Sequence, residues 1–114
     1  VYLLLQTTTK HMDERRIARI REMETALNEW VDLGNKGEEL LEEMTTHLPS
    51  LERLVAYYSS PDWMRDHDAS DEGLLPPDLP HGVLSEDAVF DLLTQLYGLC
   101  GIVKDIEQRL GKIP

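Results

Sequence analysis

From Asp13 to Tyr58 the apolar residues recur with a heptad period. One seam position holds Ile20, Leu27, Leu41, Leu48 and Val55, and the other holds Met23, Trp30, Met44, Leu51 and Tyr58. Gly34 and Gly37 occupy the two places where apolar members are due. Ile17, Val31, Leu33, Leu40 and Leu54 flank the seam and widen it into the broad stripe of a bundle helix. Two readings of the glycines stay open. In one, Gly34-Asn35-Lys36-Gly37 is a tight connection, with Gly34 in the left-handed conformation that ends a helix and Glu38 and Glu39 opening the next. Segments 13–33 and 38–59 are then antiparallel, each roughly 32 Å long. In the other, the helix continues through the glycines and breaks at Leu48-Pro49-Ser50, where proline removes a donor and crowds the preceding turn.

The C-terminal pattern is more regular. Val89, Leu92, Leu96, Leu99, Val103, Ile106 and Leu110 form an unbroken heptad seam. Ser85 is its expected N-cap, with Glu86 and Asp87 opposing the positive end of the helix dipole. Lys104, Arg109 and Lys112 lie toward the negative end, and Gly111 is placed to stop the helix. Gly98 and Gly101 fall off the seam and each weakens the helix by roughly 1 kcal/mol relative to alanine. They either admit another backbone or are tolerated surface residues. A helix of roughly 39 Å with such a seam requires a partner surface, which the first helical region is expected to supply. The expected fold is all-α: a small antiparallel helical bundle with coiled-coil-like packing of two or three long helices. An ordered proline-rich crossover precedes the last helix. The expected boundaries are a helical region over 13–59, the crossover over 60–84 and the last helix over 85–110, all in one domain spanning 12–114.

Charge and length narrow the functions. With 114 residues and a formal net charge of −11, the chain should repel phosphate backbones and anionic lipid surfaces. Neither nucleic acid nor membrane is therefore an expected partner. The most basic piece, Arg15, Arg16, Arg19 and Arg21, is interleaved with Asp13, Glu14, Glu22 and Glu24, the pattern of a solvated helix face carrying ion pairs. A single cysteine, Cys100, excludes an intramolecular disulfide and a thiolate zinc site, and fits a reducing cytoplasm. No apolar run reaches the roughly 18–20 residues that span a bilayer. Val1 to Leu5 is apolar but lacks the basic flank and cleavage site of a signal peptide. His11-Met12 resembles a vector junction, so residues 1–11 are read as a vector-derived or flexible N-terminal segment and Met12 as the natural start.

The crossover carries the candidate chemistry. No lysine or arginine lies between Arg65 and Lys104, while Asp66, Asp68, Asp71, Glu72, Asp78, Glu86, Asp87 and Asp91 all do. Clustered carboxylates suggest a divalent cation, with Asp66, Asp68, Asp71 and Glu72 as weak candidate ligands and Glu86 or Asp87 as additions. The EF-hand register fails in both frames. Starting at Asp68, Gly73 falls at the sixth position but Leu79 stands where a bidentate glutamate is needed; starting at Asp66, Asp71 and Pro77 occupy those two places. Solvent-facing turn and cap residues are the favoured reading of these acids. His67 and His81 lack metal-ligand spacing and read as surface imidazoles, and Cys100, beside seam residue Leu99, reads as a buried small hydrophobe. No phosphate loop, nucleophile elbow or zincin helix is present, so no catalytic residue is assigned and no cofactor is implied.

The aromatic residues are more informative. Tyr57, Tyr58 and Trp63 cluster after the second helical segment, and Leu74, Leu75, Leu79, Val83 and Leu84 punctuate the stretch beyond. A disordered tether does not need them. The expectation is that these apolar residues insert between helices, with Pro76, Pro77 and Pro80 stiffening the unfolded chain. A second use of the same region is recognition: Tyr57, Tyr58 and Trp63 with Asp66, Asp71 and Glu72 form the candidate binding surface, an aromatic anchor ringed by carboxylates.

Tyr57-Tyr58-Ser59-Ser60-Pro61-Asp62-Trp63, Gly73-Leu74-Leu75-Pro76-Pro77-Asp78-Leu79 and Gly82-Val83-Leu84-Ser85-Glu86-Asp87 together resemble the bacterial family catalogued as domain of unknown function 4298. The resemblance runs from Met12 to about Leu110 and departs at Pro80-His81, where such proteins commonly carry basic residues. It implies a small acidic helical protein in a bacterial cytoplasm and no established activity. The expected function is a non-enzymatic interaction module that binds another protein or itself. A divalent-metal-dependent enzyme or metal sensor using residues 66–72 is the alternative, and nucleic-acid mimicry by the acidic surface a weaker one.

Overall fold

The structure is a computed structural model that describes the backbone of residues 2–114 and the side chains of residues 10–114. Most of the side chains in the segment 1–11, expected to be vector-derived or flexible, lie outside the described residues. The chain is all-α: α1 (Tyr2–Tyr58), α2 (Pro61–Asp71), a 3-10 turn (Gly82–Leu84) and α3 (Ala88–Leu110), with no strand among the described residues. Its heptad-patterned helices are those of a coiled-coil-like bundle. Contacts divide the chain into two units, Val1–Leu48 and Pro49–Pro114.

Neither expected break interrupts α1, which runs for 57 residues through Gly34, Gly37 and Pro49. Two interior glycines cost about 1 kcal/mol each relative to alanine. That is small against the helix formers around them, Leu33, Lys36, Glu38, Glu39, Leu40 and Leu41. The tight antiparallel connection over 34–37 is therefore absent. Pro49 forfeits one backbone bond, and in the turn before it three side chains reach back to carbonyls of the same helix. Thr45 Oγ1 donates to the Leu41 carbonyl at 2.8 Å, Thr46 Oγ1 to that of Glu42 at 3.0 Å, and His47 Nδ1 lies 2.8 Å from that of Glu43. The helix ends where Ser59 N–H bonds the Val55 carbonyl and Ser60 N–H that of Tyr57.

In the first unit the seam of α1 is bare. Ile17, Ile20, Met23, Leu27, Trp30, Val31, Leu33, Leu40, Leu41, Met44 and Leu48 are all exposed, Trp30 at 63%. The second unit holds the buried core, Trp63, Leu84 and Val89. It also holds a helix that the expected crossover did not contain. Ser60 caps α2, its Oγ accepting from Trp63 N–H at 3.4 Å, Pro61 takes the first helical position, and Asp62 faces the dipole. The other end is a Schellman stop. Leu74 N–H bonds the Ala69 carbonyl and Gly73 N–H that of Ser70, with Gly73 at φ 72°. The glycine that imitates a calcium-loop position thus terminates a helix.

The start of α3 also differs from expectation, while its stop at Gly111 is the expected one. Its N-cap is Asp87, whereas Ser85 is extended and closes the 3-10 turn with a bond from its N–H to the Gly82 carbonyl. Gly111 ends the helix in a right-handed conformation, its N–H still reaching the Glu107 carbonyl. Only the start of the α3 seam is covered. Val89 is buried and Leu92 and Leu96 are half-buried, but Leu99, Val103, Ile106 and Leu110 are exposed.

Candidate functional site

The second unit is organised around Trp63. The Ser60 cap fixes the first turn of α2, and Ser60 Oγ also donates to the Tyr57 carbonyl at 2.6 Å, tying α2 back to the end of α1. This presents the Trp63 ring edge-on to Tyr58, centroids 5.1 Å apart at 67°, and nearly parallel to His67, 5.0 Å apart at 24°. Both arrangements suit the ring quadrupole. Trp63 Nε1–H donates to the Val83 carbonyl at 2.9 Å, and Tyr58 Oη–H to the Glu86 carbonyl at 2.9 Å. The Tyr-Tyr-x-Ser-x-x-Trp segment therefore holds the Gly-Val-Leu-Ser-Glu-Asp segment by backbone carbonyls. The joint therefore depends on the backbone path of this segment and on one side chain of the 3-10 turn: Leu84, with Val89 in α3, completes the buried cluster.

Carboxylates surround this joint. Tyr57 Oη–H donates to Asp66 Oδ2 at 2.6 Å, and the phenol is pushed up to about 12 by that bond, with burial and the nearby Asp66 and Asp62 charges adding to it. His67 keeps only 19% of its side-chain surface exposed. Its Nδ1 is buried without a hydrogen-bond partner and stands 3.6 Å from Asp68 and 3.7 Å from Asp71, while Nε2 is 3.8 Å from Glu86. His67 is thus a stacking element of the joint and not the surface imidazole expected.

Both motifs lie inside a wider match: the sequence profile of the family described as domain of unknown function (DUF4298) aligns with residues 20–105. The chain belongs to the DUF4298 family. No curated protein and no solved structure matches it.

In this DUF4298 chain the residues of the candidate binding surface separate into two groups. Trp63 is buried at 7% exposure, and Tyr57, Tyr58 and Asp66 are half-buried and bonded within the unit. Asp71 and Glu72 remain exposed beside them, as does Asp68. Among the described residues no three histidine, cysteine, aspartate or glutamate side chains gather in a metal-holding group. Of the linker residues expected to insert between helices, Leu84 is buried and Leu75 half-buried, while Leu74, Leu79 and Val83 are exposed. The Pro76-Pro77-Asp78-Leu79 run instead closes a local turn, Leu79 N–H bonding the Pro76 carbonyl at 3.1 Å. Cys100 is exposed and not the buried hydrophobe expected, because it lies where the α3 seam is uncovered. His81 is exposed as expected, with Nδ1 2.9 Å from the Leu79 carbonyl.

Sequence reasoning missed α2 and the part played by His67. Ser60-Pro61-Asp62 was the legible signal for the first: a capping residue, a proline at the first helical position and an acid in the first turn. His67 sits four residues after Trp63, one helical turn away, which is the spacing that stacks them.

Proposed function

We propose that this DUF4298 chain is a non-enzymatic protein-interaction module whose binding surface is the apolar seam of α1, between Ile17 and Leu48. The observation that carries the proposal is the exposure of eleven large apolar side chains on that seam and its flanks. Monomers rarely leave contiguous apolar patches beyond a few hundred Å² uncovered, and larger ones mark contact surfaces. A helix with i, i+3, i+4 anchors is suited to a groove or to another helix. The aromatic cluster around Trp63 then serves as the structural joint that orders the second unit, with Asp71 and Glu72 as an acidic rim open to a secondary contact. The acids of 66–72 offer weak support to a metal-dependent reading, since Asp66 is engaged by Tyr57. No described helix is long and apolar enough to cross a membrane. The net charge of −11 supports a protein partner over nucleic acid or anionic lipid, and one cysteine supports a cytoplasmic setting.

The test is capture from a native lysate with the intact chain and with Leu27→Glu/Trp30→Glu. These changes alter exposed residues and leave the Trp63 core untouched. Recovery of a partner by the intact chain and its loss in the double variant is the expected result. Equal recovery by both would remove the seam from the account.

A further inference from the structure

We propose that the α1 seam pairs with the same seam of a second copy of this chain, antiparallel and centred on Asp32, so that Trp30 of each copy lies over Gly34 of the other. The proposal rests on the interaction-module reading and names its partner. Ile20, Leu27, Gly34 and Leu41 occupy one seam position, and Met23, Trp30, Gly37 and Met44 the other. In an antiparallel pair each member of the first set faces a member of the second. One register is symmetric about Asp32: Ile20 meets Met44, Leu41 meets Met23, Leu27 meets Gly37 and Gly34 meets Trp30. The two gaps in the heptad are thereby opposed to two large side chains, one of them the largest on the seam. A parallel pair sets Trp30 against Trp30 and leaves glycine facing glycine.

The single chain gives no packing reason for the glycines. A Cβ added at Gly34 or Gly37 meets nothing within 4 Å, and neither residue has positive φ. Glycine in a helix interior is otherwise a weakening choice. An indole from a second copy is what makes the absence of a Cβ useful. Charge is divided in this register: Arg21 comes level with Glu43 of the second copy, while Glu24 and Glu38, the charged residues flanking the seam, face each other with like charge. The area suffices. The exposed seam offers on the order of 700 Å² of apolar surface per copy, against about 800 Å² per partner in a standard interface. A two-fold contact of this kind closes on itself and does not propagate into fibres.

Sedimentation equilibrium of the full chain across micromolar concentrations tests the proposal, alongside Gly34→Leu and two cysteine variants in a Cys100→Ser background. The expected result is a dimer that Gly34→Leu weakens about tenfold or more, because leucine occupies the place of the indole. The same substitution fills a vacant seam position and would strengthen a parallel pair. A short bismaleimide should link Leu33→Cys, which lies next to the two-fold axis. It should not link Ile20→Cys, whose two copies stand roughly 36 Å apart. Tighter association of Gly34→Leu, or linkage at position 20 and not at 33, overturns the antiparallel pairing. A strict monomer overturns self-pairing altogether. Failure of the interaction reading is separate: the capture comparison with Leu27→Glu/Trp30→Glu would then show no seam-dependent partner either.

Discussion

Trp63→Ala removes the residue on which the second unit is built. The indole is 7% exposed, touches Tyr58 edge-on and His67 face-on, and donates one hydrogen bond to the Val83 carbonyl. Truncating a buried Trp to Ala typically costs about 3–5 kcal/mol. The lost bond adds little here, because Val83 is 37% exposed and water can reach its surroundings. Since about 1.4 kcal/mol is a factor of ten, local opening should become roughly a hundredfold to several thousandfold more populated. Native-state hydrogen exchange reads this directly at Leu84 and Asp91, whose amide protons bond the His81 and Asp87 carbonyls at 3.0 and 2.8 Å. Trp63→Phe should lie between, keeping a ring in the stack but no donor for Val83. Trp30→Ala is the control, because Trp30 is 63% exposed and outside this cluster. Unchanged protection at Leu84 and Asp91 in Trp63→Ala would refute the argument that the tryptophan joins the two motifs.

Three further outcomes are expected. Tyr57, raised to about 12 by its bond to Asp66, is protonated more readily folded than unfolded. Its stabilising contribution is complete below the ordinary tyrosine value near 10 and is lost as pH rises toward about 12. Ultraviolet titration should show one late tyrosine, absent in Tyr57→Phe; a late tyrosine that persists in the variant would assign the shift wrongly. Gly73→Ala forces a side chain into φ 72° and should destabilise the second unit by about 1–2 kcal/mol, measured by urea unfolding, and an unaffected midpoint would contradict the Schellman stop. Ser60→Ala removes the α2 cap and the tie to Tyr57, for a loss of about 1 kcal/mol, and Ser60→Thr, which can both accept from Trp63 N–H and donate to the Tyr57 carbonyl, should restore much of it; equal losses in both would deny the capping role.

The heptad pattern was enough to make the chain all-α and to locate both long helices, because a repeated apolar stripe is a property of many residues and survives local exceptions. The exceptions were harder to weigh. Gly34, Gly37 and Pro49 each carry a local cost of about 1–3 kcal/mol, which reads as a break when each is considered alone. In a 57-residue helix rich in strong helix formers, that cost is absorbed. α2 was hidden for the opposite reason. Its eleven residues are mostly polar, so no stripe announces them, and only the Ser60-Pro61-Asp62 start signal does. His67 and Cys100 were misplaced because burial follows tertiary packing: one falls a turn after a buried tryptophan, the other beside a stretch of seam that no described residue covers. Among the candidate site residues, the aromatic cluster was legible from its composition, but which members face inward depended on the carbonyls of Val83 and Glu86, invisible in a list of side chains.

The proposed contact surface is the α1 seam, bare in the single chain. Hydroxyl-radical footprinting of Trp30, Met23 and Met44 tests it most directly, comparing the dilute purified chain with the chain at high concentration and in native lysate. All three should be oxidised readily in the dilute chain and protected in at least one of the other conditions, while Trp63 is protected throughout. Equal reactivity of Trp30, Met23 and Met44 in every condition would contradict it.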